Sequence, residues 1–157
     1  MDISNFAIGA GSLSIAGSDI GGTTEKGVVV SVEPNIHLHT SGKYGKTPVK
    51  ATYLGINLTL VVEMAEATLA NLNKVIGGSH LVGSKVQFGG VAGVEVVGKE
   101  LIITPFDGSE AWTFKNAVPT GSVEVEYSTT NERIFKVTFT AMVDSTEAEN
   151  ENVANFS

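Results

Sequence analysis

Between Val49 and Met64 the chain reads VKATYLGINLTLVVEM, and Leu54, Ile56, Leu58, Leu60 and Val62 fall on every second residue. Apolar positions at period two share one face of an extended strand; on a helix they would scatter around the axis. Tyr53, Gly55, Asn57, Thr59 and Glu63 alternate with them and give the opposite face a polar, weakly charged character. A half-buried strand of this length, about 50 Å when extended, must be paired along its edges, so it confines the chain to sheet architectures.

The preceding residues supply a partner. Val28, Val30 and Val32 share one face, and Ile36 and Leu38 continue it after an interruption at Pro34. Between the two runs lies TSGKYGKTP, whose two glycines and proline mark a hairpin tip, with Lys43 and Lys46 around Tyr44. Val28–His39 and Val49–Met64 therefore read as a long β-hairpin. Ser12–Ile15 reads as a short strand, and Gly21–Gly22 as the turn after it. The period changes once: Ala65, Leu69, Leu72 and Ile76 lie on one helical face, and Gly77–Gly78 stops it, which predicts an α-helix over 65–76. Further strands are expected at Lys85–Phe88, Val94–Val97, Glu100–Phe106, Ala111–Val118, Ser122–Tyr127 and Glu132–Val143. In the last of these, Phe135, Val137, Phe139, Ala141 and Val143 face inward. The fold class is mainly β, a β-sandwich or barrel with one α-helix and a long hairpin. It forms a single domain over 1–157, with an N-terminal arm at 1–10 and an acidic C-terminal tail at 144–157.

Composition narrows the function classes. The chain has no Cys, hence no disulfide framework, thiol nucleophile or Cys-based zinc site. It has no apolar run of the roughly 18–20 residues that would span a membrane as a helix, and its first residues lack a basic region followed by an apolar one, so no secretory signal is read. The net charge is −7 from 17 acids and 10 bases; four acids, Asp144, Glu147, Glu149 and Glu151, sit in the tail, which leaves 13 acids against 10 bases elsewhere. A mildly acidic body does not make the basic patch that a nucleic-acid clamp needs.

Catalytic motifs are weak. Asp19–Thr23, DIGGT, resembles the phosphate hairpin of sugar kinases, since glycines let backbone amides approach phosphate. That kinase fold, however, needs two α/β domains and a second phosphate loop, which this length and pattern do not supply. DIGGT is expected to be a tight turn whose Asp19 and Thr23 side chains cap backbone groups. His37 and His39 share a strand face and His80 stands far along the chain, a spacing that does not define a metal site. Glu124 and Glu126 alternate with valines as a solvated face does. Trp112 and Phe114 fall at core spacing, and no serine sits in a nucleophile elbow. No enzyme activity and no cofactor are expected.

What remains is a chain with long strands, polar and weakly charged outer faces, and projecting ends, features suited to pairing with copies of itself. The opening GSLSIAGSDIGGTTEKGVVVSV, the long strand pair around a polar tip leading into one helix, and the distal ELIITPFDGSEAWTFKNAVPTGSVEVEYSTTNERIFKVTFTAMVD resemble, in order and length, the bacteriophage tail tube (major tail) proteins. The resemblance implies a virion structural protein, assembled in the host cytoplasm. Six copies would form a ring, and rings would stack into a hollow tube that encloses a tape-measure protein and later conducts DNA. Partners would be the chain itself, a tail terminator, baseplate or tip proteins, and in contractile tails a sheath. DNA would pass without specific binding, and no membrane is involved. If the long strands form the inner wall, Ser31, Glu33, Asn57, Thr59 and Glu63 face the lumen, with Thr138 and Thr140 beside them. Val29, Tyr53 and Lys136 on those faces are awkward for such a wall. Lys43, Tyr44 and Lys46 at the tip are expected to contact the next ring. A monomeric binding module, carbohydrate-binding or adhesin-like, is the alternative from another class, and a tail terminator on the same fold is a second.

Overall fold

A computed structural model describes residues 11–64, 73–77, 79–106, 110–124, 135–149 and 152–157. Its strands are β1 (Gly11–Ile15), β2 (Ser18–Thr40), β3 (Pro48–Met64), β4 (Ser79–Val82), β5 (Lys85–Phe88), β6 (Lys99–Pro105), β7 (Trp112–Pro119), β8 (Phe135–Met142) and β9 (Ala154–Phe156). Six of them pair in the order β6-β1-β2-β3-β8-β7, and β6 pairs back onto β7, so the sheet closes into an antiparallel barrel. Closure pairs the sheet's β6 and β7 with each other instead of leaving both as free edges. β9 adds to β7 beyond the end of β8, and β4–β5 form a separate hairpin.

The alternation seen in the sequence builds the core. Leu58, Leu60, Val62 and Met64 of β3 pack with Phe135, Val137 and Phe139 of β8, Leu13 and Ile15 of β1, and Leu101, Ile103 and Phe114 across the barrel. The mainly-β class stands. Of the expected helix, residues 65–72 lie outside the described residues. Asn73–Val75 are helical, Val75 is buried, and Ser79 Oγ lies 2.8 Å from the Ile76 carbonyl at the helix end. The arm at 1–10 also lies outside the described residues.

Several expectations are corrected. The turn between β1 and β2 is Ala16–Gly17, not Gly21–Gly22. Ile15 pairs directly with Ser18, and both turn residues have positive φ (50° and 79°), as a two-residue hairpin requires. DIGGT lies within β2 as a bulge. Ser12 pairs with Gly22 and Ser14 with Asp19, so Ile20 and Gly21 together oppose Leu13. The capping roles do hold: Gly21 N–H donates to Asp19 Oδ1 (2.9 Å), and Gly11 N–H donates to Thr23 Oγ1 (3.0 Å). Pro34 does not interrupt β2. It pairs with Ile56 where, among the described residues, β2 has a neighbour on one side only, so its missing N–H breaks no second ladder there. Val94–Val97 and Ser122–Glu124 are not strands, and β4 and β9 were not anticipated. Residues 125–134, including Glu126, lie outside the described residues.

The C-terminal segment folds back. Asp144 N–H donates to the Asn152 carbonyl (2.7 Å), Ala111 and Ser157 exchange backbone bonds (2.7 and 3.0 Å), and Phe156 lies 4.9 Å from Trp112 between ring centroids. Thr146 donates to Asp144 Oδ1 from its hydroxyl (2.6 Å) and its N–H (3.0 Å), which starts this return and holds the exposed Asp144 carboxyl below its ordinary pKa.

Candidate functional site

The barrel uses only part of β2 and β3. β1 pairs with β2 as far as Gly22, and β8 pairs with β3 from Thr59 onward, so among the described residues the two strands pair only with each other from Val32 to Thr40 and from Pro48 to Leu58. The result is a two-stranded ribbon that extends about 30 Å past the barrel. Register decides what each face carries. Val32 pairs with Leu58 and Pro34 with Ile56, on the side that faces the core lower down. Next, Asn35 pairs with Gly55 but Ile36 pairs with Tyr53, so Leu54 is the extra residue of a bulge at Gly55, whose φ is 134°.

The bulge changes the reading of Tyr53. Strict alternation put it on the polar face, whereas pairing with Ile36 turns it to the apolar one. The apolar face of the ribbon therefore continues the core stripe outward through Val32, Ile36, Leu38, Ile56 and Tyr53, with Leu54 bulged beside them. Ile36, Leu38, Tyr53 and Leu54 are 50, 54, 61 and 67% exposed. A stripe that is core inside the barrel and bare outside it marks a surface awaiting a partner.

The opposite face is polar, and the register brings the five expected wall residues together. Ser31 pairs with Thr59 and Thr59 with Thr140; Glu33 pairs with Asn57; Glu63 pairs with Lys136. All lie on the side of β2–β3–β8 away from Leu58, Leu60 and Val62. Lys136 thus faces an opposite charge across the strand pair, a favourable cross-strand arrangement. Thr140 is engaged within the chain, its hydroxyl 2.8 Å from that of Thr120, and Gly121 packs over Thr138. Val29 and Val61 are register partners on this face, and Val29 is exposed, so the face has one apolar row.

At the tip, Gly42–Tyr44 form one turn of 3-10 helix, closed by Tyr44 N–H donating to the Ser41 carbonyl (2.9 Å). Lys43 Nζ sits 5.4 Å from the centroid of the exposed Tyr44 ring, within cation–π range, and Lys46 is exposed beside them. His37 and His39 have ring centroids 4.5 Å apart, and His39 Nε2 lies 2.9 Å from Thr52 Oγ1. His80 belongs to the separate β4–β5 hairpin, and no group of three metal-ligating side chains occurs among the described residues. Phe114 is buried and Trp112 packs against the core, as their spacing indicates.

No protein-family model and no curated protein matches the sequence. Solved structures do match the fold. The tube-terminating cap of the anti-feeding prophage aligns over 97% of this chain and 89% of its own, at 12% identity and a TM-score of 0.55. A chain of the extended sheath–tube complex of PVC, an extracellular contractile injection system, aligns over 88% of this chain and 90% of its own, at 13% identity and a TM-score of 0.52. This chain has a tail-tube-like fold. The Ala16–Gly17 turn, the bulge at Gly21 and the bulge at Leu54 that turns Tyr53 to the apolar face are residue-level features that sequence pattern alone missed. The glycines at these sites were the available signal.

Proposed function

We propose that the chain is the structural subunit of a tail tube, without enzymatic activity. Copies join into rings, with hexamers as the reading, and rings stack into a hollow conduit. The observation that carries this reading is the ribbon whose apolar face leaves the barrel uncovered while its other face stays polar. Such an amphipathic ribbon is satisfied when a neighbouring copy covers the apolar side and the polar side is left to a water-filled channel. The tail-tube-like fold supports the same reading.

In that arrangement Ser31, Glu33, Asn57, Thr59 and Glu63 line the lumen. A wall of small polar groups with acids, and with Lys136 neutralised opposite Glu63, offers phosphate little to hold, as a conduit for DNA requires. The tape-measure protein occupies the channel before ejection, and terminator, baseplate and, in a contractile machine, sheath proteins complete the assembly in the tail of the virion. The tip residues Lys43, Tyr44 and Lys46 make a contact between rings. The likeness to a tube-terminating cap favours a second reading, in which this chain ends a tube rather than extends it.

Electron microscopy of the concentrated protein in negative stain separates these readings. Long hollow tubes support the tube subunit, and isolated rings support the cap. Single copies at every concentration, together with binding in a glycan screen, would turn the reading over to a monomeric binding module.

A further inference from the structure

The ribbon is not the only bare apolar surface. Phe88 closes β5, and Val91, Val94, Val96 and Val97 follow it in the irregular segment before β6; they are 68, 82, 72, 50 and 74% exposed. Single exposed valines need no explanation, but five large apolar side chains within ten residues form a patch. Gly89, Gly90 and Gly93 hold this segment at φ values of 133°, 146° and 91°, where an L side chain is strained. A Cβ on any of the three would meet nothing within 4 Å among the described residues, so these glycines border open space.

The patch and the ribbon lie at opposite ends of the barrel. β2 starts at Ser18, beside Ile15 and the Ala16–Gly17 turn, and leaves the barrel past Val30 at the other end. Val96 and Val97 share a cleft with Ile15, Ile76 and Leu101, at the end where β2 starts.

The geometry points to a head-to-tail contact in which the Phe88–Val97 segment of one copy receives the apolar face of the β2–β3 ribbon from a second copy. This rests on the assembly reading above and names the surfaces that meet. Two different surfaces at opposite ends of one chain make a heterologous contact, which propagates along a line of copies instead of closing a pair. The exposed apolar side chains amount to roughly 600–700 Å² on each surface, about 1,300 Å² together, enough for a specific interface.

The absence of cysteine makes the contact directly testable. Leu54→Cys and Val94→Cys alter side chains that are 67 and 72% exposed, so neither is needed for the barrel to fold. The two single variants are mixed and treated with a short bismaleimide. The 54–94 product is expected in about tenfold excess over the 54–54 and 94–94 products, because only the heterologous pair meets. A double variant is expected to give a ladder of linked chains. Homotypic products equal to or exceeding the 54–94 product, or no 54–94 product, overturn the contact. Tubes without that product sink the contact but keep the tube reading, whereas the product without tubes keeps the contact and sinks the tube.

Discussion

Ile36→Ser separates the two roles a ribbon side chain can have. In the single chain Ile36 is already half exposed, and its partner across the ribbon is Tyr53, itself 61% exposed. Removing the apolar side chain therefore costs the isolated fold about 1 kcal/mol, confined to the ribbon, a shift of roughly 2–4 °C at most in Tm for a chain of this size. If a neighbouring copy covers the ribbon, the remaining exposed apolar area of about 100 Å² is lost from the contact. At ~25 cal/mol per Å² that is about 2.5 kcal/mol per copy, or roughly a 70-fold rise in the concentration at which assemblies form. Pelleting across a dilution series reads that concentration, and calorimetry on the unassembled chain reads Tm. His37→Ser, the next residue and on the polar face, is the control, with a change below about threefold. Assembly of Ile36→Ser at the wild-type concentration, or equal damage from His37→Ser, would refute the claim that the apolar face is the covered one.

Other expectations follow from individual contacts. Replacing Lys43 and Lys46 by Gln with Tyr44→Ala should weaken stacking of rings, and raising salt from about 0.1 to 1 M should weaken wild-type stacking, as the screening length falls from about 10 to 3 Å. Assembly indifferent to both would remove the tip from the contact. Gly121→Ala would place a Cβ 2.7 Å from Thr138 Cβ, a clash no rotamer relieves, so urea unfolding should show a loss of about 1–3 kcal/mol; unchanged stability would contradict the packing of Gly121 over β8. Asp144 has its pKa held below the ordinary 3.8, first by the Thr146 hydroxyl, then by the Thr146 N–H and the charge of Lys115. A depressed carboxyl pKa contributes stability that is present above 3.8 and is lost as pH falls through the lower folded value. Emission from Trp112, the single tryptophan, which packs on Phe156, should therefore stay constant from pH 7 to 5 and change only in strong acid. Asp144→Ala should show the loosened emission already at neutral pH.

Much of the barrel was legible because its strands obey a simple period. Leu58, Leu60 and Val62, and Phe135, Val137 and Phe139, are buried where alternation puts them. The same alternation placed Ser31, Glu33, Asn57, Thr59 and Glu63 on a common face, which the β2–β3 and β3–β8 registers join. Alternation fails at a bulge, where one extra residue exchanges the faces, and that is why Tyr53 was assigned to the polar side. Val94–Val97 is apolar enough to read as strand, yet it forms no strand pairing among the described residues, and composition does not record whether a partner exists. β9 is three residues long beyond an acidic stretch, and it becomes a strand only because β7 offers an edge past Met142. Closure of β6 onto β7 is likewise a long-range event that local pattern does not carry.

In the assembly we propose, the apolar ribbon face is covered and the polar face of β2–β3–β8 is turned to a lumen. A cryo-electron microscopy map of the assembled protein, at a resolution that shows strands and large side chains, tests it most directly. The expected map is a hollow tube of stacked rings, with Glu33, Asn57 and Glu63 on the channel wall and Ile36, Leu38 and Tyr53 against a neighbouring copy. A channel lined by the apolar ribbon face, or an assembly in which that face stays open to solvent, would contradict it.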